Sequence, residues 1–278
     1  MFRALVLSVV LMALAIAPRV HASDLDPILT IKIGKTVRAL KASQLLKHPD
    51  LADITIPKDV AYKRQMTYKA IPLLSVLPAE KDIDFDTLEV RATDGFVSQL
   101  PVALIKRAKS GGASAWIAIE PPGKPWPKIS GKDISAGPFF VVWQFPKKSN
   151  IGPEQWPYAV AEFRSVRSPV QRWPQLAVQS SNADARKGMA VYLKHCLSCH
   201  KIAKAGEATM GPDLAYPMSP ITYMTELGLR GIIRNPTSVR TWPKQEMAGF
   251  SAETLPEIEL DHLIAYLRYM SRHSAKVK

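Results

Sequence analysis

"LKHCLSCHKI", Leu193 to Ile202, holds both cysteines of a 278-residue chain, three positions apart, with a histidine directly behind the second. Upstream, "NADARKGMAVYLKHC" reads as a helix, with Asn182 as its cap and Met189, Leu193 and Cys196 on one face. Downstream, "LPEIELDHLIAYLRYM" puts Pro256 near a first turn, and Leu260, Leu263, Ile264, Leu267 and Met270 form one apolar stripe. The motif therefore sits between amphipathic helices, and its surroundings are expected to be all-α.

Three chemistries compete for Cys196, Cys199 and His200. Zinc needs four ligands, and the nearby set would be His195, Cys196, Cys199 and His200. Adjacent residues on a cramped turn do not easily point at one tetrahedral ion. A redox dithiol of the thioredoxin type follows a strand in a βαβ setting, whereas this pair follows a helix. The third is covalent haem attachment, with two thioethers to the porphyrin and the His200 imidazole on iron. Two intervening residues let one helical turn carry both sulfurs, and the next residue points at the metal from the same side. The haem reading accounts for all three residues at once.

The N-terminus sets the compartment. Met1-Phe2-Arg3 is a short positive start, and "ALVLSVVLMALAIA" (Ala4 to Ala17) is an apolar run of secretory-leader length. Val20 and Ala22 occupy the small-residue positions of a cleavage site, so cleavage is expected after Ala22. That run is too short to span a bilayer comfortably, and no later segment reaches spanning length. The expectation is a periplasmic protein with no integral membrane segment after cleavage. In an oxidising compartment a free CxxC pair would become a disulfide unless something else consumed the thiols.

Net charge is +13, and the loss of Arg3 and Arg19 with the leader leaves +11, spread over both halves of the chain. No nucleic-acid motif is present, and acidic protein surfaces or anionic head groups are the partners such a charge suits. About 256 residues after cleavage is comfortable for two domains.

From Pro27 to about Val166 short β-like runs alternate with turns. "ILTIKI" (Ile28–Ile33), "TLEVRA" (Thr87–Ala92), "AWIAIE" (Ala115–Glu120), "PFFVVWQF" (Pro138–Phe145) and "YAVAEFRSV" (Tyr158–Val166) read as strands, with a hairpin around Asp94-Gly95 leading into "VSQLPV". Short helices are expected at "SQLLKH", capped by Ser43, and at "PVALIKRA". "PPGKPWPKISGKD" reads as a loop exposing Trp126, and Trp156 and Trp173 each precede a proline. The division is thus a signal peptide (1–22), a β-rich α+β domain (23–168), a linker (169–181) and a helical domain (182–278).

The helical part resembles the single-haem class I cytochromes c over about residues 182–272. Gly188 and Tyr192 stand where that family's N-terminal helix meets its C-terminal helix, and Tyr266 in "LIAYL" stands at the aromatic position of the same contact. "MGPDL" (Met210–Leu214) is similar to the family's proline turn, which implies that the Pro212 carbonyl accepts a hydrogen bond from the proximal imidazole. Leu214 would then face the haem, and Asn235-Pro236 would stop the helix ahead of the distal loop. The resemblance implies one covalent haem c per chain, with His200 as proximal ligand and Met247 as distal ligand. Met210, Met218 and Met224 are rival thioethers, and Ala248 stands where the family often has proline. Trp242 would line the pocket. His262 lies off the apolar stripe and is expected to face solvent.

The N-terminal part resembles the molybdopterin-binding domain of sulfite-oxidase-type enzymes, in "ATDGF" (Ala92–Phe96), "LPVALI", "ASQLL" and "GPFFVVW" (Gly137–Trp143). It lacks that family's cysteine ligand to molybdenum, so a molybdenum cofactor is not expected and docking is the role implied.

Two strong ligands on iron leave no open coordination position. The expectation is an electron-transfer protein rather than a catalyst, carrying single electrons between a periplasmic dehydrogenase and an acceptor with acidic docking surfaces. The alternatives are a haem-containing domain of an oxidoreductase whose N-terminal domain binds substrate or cofactor, and a haem-based sensor.

Overall fold

Period-two alternation of apolar and polar residues builds the first half of the molecule. In the computed structural model, which describes residues 26–78, 85–179, 181–241 and 245–273, Ile28–Ile33 (β1) turns Leu29, Ile31 and Ile33 inward and its other residues outward. The strands that follow are Thr36–Lys41 (β2), Ala52–Ile56 (β3), Met66–Pro72 (β4), Thr87–Ala92 (β5), Val97–Pro101 (β6), Ser114–Ile119 (β7), Phe139–Gln144 (β8) and Val160–Val166 (β9).

They form two sheets, ordered β2-β1-β9-β5-β6 and β3-β4-β7-β8. β1 pairs with β9 in parallel, and the other pairings are antiparallel. Leu29, Ile31, Val90 and Phe163 of the first sheet share one core with Tyr68, Ile117, Phe140 and Val142 of the second. β8 lies last in its sheet, yet its residues from Phe139 to Trp143 are fully buried, and the Val141 N–H donates to Pro157 O rather than to water.

Short helices Ala42–Leu45 (α1), Leu73–Val76 (α2) and Val102–Lys106 (α3) connect strands. Ser43 does not cap α1. The cap position is Lys41, whose N–H donates to Gln44 Oε1, and the Ser43 hydroxyl donates instead to Asp26 Oδ2 at 2.6 Å. Trp126 is not an exposed anchor either: it packs edge-on against Tyr68 with ring centroids 4.9 Å apart.

The segment read as a linker is fastened at both ends. It carries Pro169–Arg172 (α4), where Arg172 pairs with buried Glu89 of β5 at 2.7 Å. Farther on, Leu176 is buried in the helical core and its carbonyl accepts from Tyr266 Oη.

Beyond it come Ala183–His195 (α5), Pro220–Tyr223 (α6), Glu226–Arg234 (α7), Pro236–Val239 (α8) and Glu257–His273 (α9). Asn182 caps α5 through its side chain, which accepts from Ala185 N–H. The α9 stripe of Leu260, Leu263, Ile264, Leu267 and Met270 is buried as expected. α5 and α9 cross where Gly188 lets backbones touch: a Cβ built there would lie 1.8 Å from His262 O. Beside it Tyr192 and Tyr266 meet at 5.6 Å. His262 belongs to this crossing and does not face solvent; its side chain is 13% exposed, with Nε2 3.5 Å from Asp184. No helix among the described residues is long and apolar enough to cross a membrane.

Candidate haem site

α5 ends where the motif begins. One tight turn follows, with the Cys199 and His200 N–H groups both donating to Cys196 O, at 3.1 and 2.9 Å. That turn brings two unpaired thiols and an imidazole together. Tyr192 Oη, one turn back on α5, donates to His200 O at 2.8 Å and ties the end of the motif to the helix crossing.

The His200 ring is held from its far side. Its Nδ1 lies 2.8 Å from Pro212 O, which leaves Nε2 as the nitrogen available to a metal. Gly211 lies close against the ring; a Cβ there would come within 2.4 Å of Cε1. Burial lowers the imidazole pKa below its ordinary value, against the opposing pull of Pro212 O and the Asp213 carboxylate, so the ring is neutral and able to ligate. Burial likewise raises both thiols, Cys199 to about 12, with Glu154 adding to the effect.

Asp213 is a residue the sequence reading passed over. Its carboxylate accepts four backbone N–H groups, from Ala203, Lys204, Ala215 and Tyr216, at 2.6 to 3.0 Å. It thereby organises a turn in which Ala203 and Lys204 both take positive φ, and it holds the proline turn against the segment after His200. An Asp between the proline and Leu214 was the available signal. Leu214 is half-buried against the helical core, and its N–H donates to Lys201 O.

The four residues of a zinc set do not converge. His195 turns toward the β-rich region and pairs with Glu154 at 2.8 Å, while His200 turns to Pro212. Two thiols with one neutral, oriented imidazole fit the attachment motif of a covalently held haem, which uses those three groups.

Met247 is half-buried against the helical core, on a loop fastened to the end of α7. Phe250 N–H donates to Ile233 O at 3.0 Å, and the Arg234 guanidinium reaches Phe250 O, Leu255 O and Glu257. Gly249 is pressed against Arg234 O, where a Cβ would sit at 2.2 Å. Asn235 ends α7 and Pro236 follows, as expected from the sequence. Among the rival thioethers, Met210 lies beside Cys199, with sulfurs 4.0 Å apart, on the loop that packs on His200. Met218 is largely exposed, and Met224 is half-buried against the helical core. Trp242 lies outside the described residues.

The β-rich region frames this site. Gly95, at the tip of the β5–β6 hairpin, has φ +91°, and its carbonyl accepts from Thr209 N–H; a Cβ there would collide with Thr209 Oγ1. Val97 N–H donates to Ser198 O between the two cysteines. Arg91 reaches Glu207 at 3.2 Å, and Lys132 reaches Glu246 at 2.5 Å. Between these contacts lies a cleft of about 500 Å³ lined by Asp94, Lys132, Ile134, Met210 and Glu246. The Cys-His motif itself points to none of the β-rich residues that frame it, because they come from the other half of the chain.

No curated protein matches the chain. Residues 183–267, from the start of α5 into α9, match the family described as cytochrome C oxidase, cbb3-type, subunit III. The chain is thus a β-rich region of two sheets followed by a helical region that matches a c-type cytochrome domain.

Proposed function

We propose that this protein is an exported single-haem cytochrome that carries electrons between a periplasmic dehydrogenase and an acceptor. The observation that carries the reading is the His200 ring, anchored through Nδ1 to Pro212 O one turn from two unpaired thiols. Haem, when bound, supplies a one-electron couple. Cys196 and Cys199 hold it through thioethers, His200 ligates through Nε2, and Met247 supplies the distal thioether, which favours the ferrous state. Leu214, half-buried against the helical core, lines the pocket. The apolar stretch from Ala4 to Ala17, which lies outside the described residues, serves as the export leader.

Two arguments favour Met247. Met210 neighbours the glycine that packs on His200, so it belongs with the proximal side, and Met218 is largely exposed. The Met247 loop is half-buried and anchored to α7. The β-rich half, which has no cysteine to bind molybdenum, serves to position the haem domain and dock partners. The basic surface suits acidic redox partners.

The test is the mature protein produced with a haem-attachment apparatus. The fragment containing Cys196 and Cys199 is expected to carry the mass of one haem, and the reduced protein should not bind carbon monoxide. A fragment with the mass of its amino acids alone overturns the proposal, and prompt carbon monoxide binding points to a sensor. Reduction by an acidic partner is expected to slow as ionic strength rises.

A further inference from the structure

The β-rich region contacts the segments before and after His200 through backbone bonds. Among the described residues it also reaches the loop that carries Met247, through the Lys132 side chain. Lys132 Nζ lies 2.5 Å from Glu246 Oε2 and 2.9 Å from Tyr158 Oη. Glu246 is the residue immediately before Met247. We propose that Lys132 is a positioning residue for the distal ligand: its ammonium latches Glu246 and holds the Met247 loop closed over the site. The inference rests on reading Met247 as that ligand.

The latch is built on a stiff base. Lys132 follows Gly131, at φ +76°, in a tight turn closed by Ile129 N–H to Ile134 O and Lys132 N–H to Ile129 O, both 2.9 Å. Ile129 buries its side chain in the β-rich core and anchors the turn. Tyr158 leads into β9, and the next residue donates its N–H to Ala136 O, so the second partner of the ammonium is fixed as well. Burial works against the charge on Lys132, yet the bonds to Glu246 and Tyr158 outweigh it and hold its pKa above the ordinary lysine value.

The distal loop needs such a tether on one flank. Its far flank is stapled to its own half of the molecule, through Phe250 to Ile233 and Arg234 to Phe250 and Leu255. On the near flank Lys132 bonds Glu246, and the neighbouring Gln245 Oε1 is buried with no partner. Both latch side chains are partly exposed, at 30% and 49%, so the bridge adds little to global stability. A small local energy still shifts a local opening equilibrium, and a competing ligand reads that equilibrium directly.

The experiment uses the full-length ferric holoprotein, with imidazole as the competing ligand and the far-red absorption band of a thioether–iron bond as the readout. Replacing Lys132→Met opens the loop more often, so the apparent Kd for imidazole is expected to fall about threefold, the size of effect an exposed bridge carries. Raising the salt concentration should lower that Kd in the parent protein and leave it unchanged in Lys132→Met. Glu246→Gln should match Lys132→Met, and the double variant should add nothing further. Lys128→Met, which removes only the bridge to Asp133 on the same loop, should behave as the parent. A Lys132→Met variant with parental imidazole affinity overturns the latch. Met247→Leu separates the two claims: loss of the far-red band upholds the ligand reading whatever the latch result, and a retained band overturns that reading and the latch with it.

Discussion

Replacing Gly188→Ala tests whether the α5–α9 crossing sets the stability of the helical half. The added Cβ would lie 1.8 Å from His262 O, 2.5 Å from its carbonyl carbon and 2.7 Å from Tyr266 Cβ. Two of these three atoms are backbone, so no side-chain rotation relieves the clash. The helices must part by more than an ångström, which loosens the Tyr192–Tyr266 contact and the Tyr192 bond to His200 O. Overpacking of this kind costs about 3 kcal/mol at the upper end of the usual range. Alanine returns about 1 kcal/mol through better helix propensity. The net loss of about 2 kcal/mol corresponds to a fall in Tm of about 8–16 °C for a unit of this size. Thermal unfolding followed by far-ultraviolet circular dichroism reads it. Gly231→Ala is the control: its Cβ would meet only the tip of half-exposed Val239, which can rotate away, so stability should hold or rise slightly. A Gly188→Ala protein as stable as the parent would refute the close-crossing argument.

Arg234→Ala strips partners from Phe250 O, Leu255 O and Glu257 and should cost about 1.5–3 kcal/mol, with faster amide exchange across 245–255 as the local sign. Glu89 is buried, which alone would raise its pKa, but Gln99, Arg172 and Arg91 together hold it below the ordinary carboxylate value. Its stabilisation is therefore present above the unfolded pKa and lost as pH falls through the folded one, so acid unfolding should be shallower in Glu89→Gln, which starts less stable at neutral pH. Tyr68→Phe removes a 2.8 Å bond to buried Asp59 and should cost about 1–3 kcal/mol by chemical denaturation. Burial raises the Asp59 pKa despite its hydrogen bonds, so this loss should grow with rising pH, as more of the carboxylate becomes charged and short of a partner.

Local pattern carried much of the architecture into the sequence. The α9 stripe, the Asn182 cap and the Asn235-Pro236 stop depend on residues within a turn or two of one another, where spacing alone states the structure. The hairpin at Asp94-Gly95 was legible for the same reason, since glycine takes positive φ without steric cost. Weaker local signals were missed. β2 is mostly exposed, and β3 and β4 are interrupted by charged residues, so neither offers the long apolar run that marked β8. Ser43 looked like a cap by residue type, but a partner seventeen residues away, Asp26, took its hydroxyl.

What the linear order determined is which reactive groups stand together at the site. Two sulfurs and an imidazole within five residues can be presented by one turn, whatever surrounds them. What only the tertiary structure decided is which groups aim and enclose them. Pro212 O fixes the imidazole, Asp213 gathers four backbone donors, and Glu154, Gly95, Val97 and Lys132 arrive from the other half of the chain. Hydrogen bonds and close packing act over a few ångströms of space and are indifferent to distance along the chain. No spacing rule could therefore have joined Lys132 to Glu246 across 114 positions.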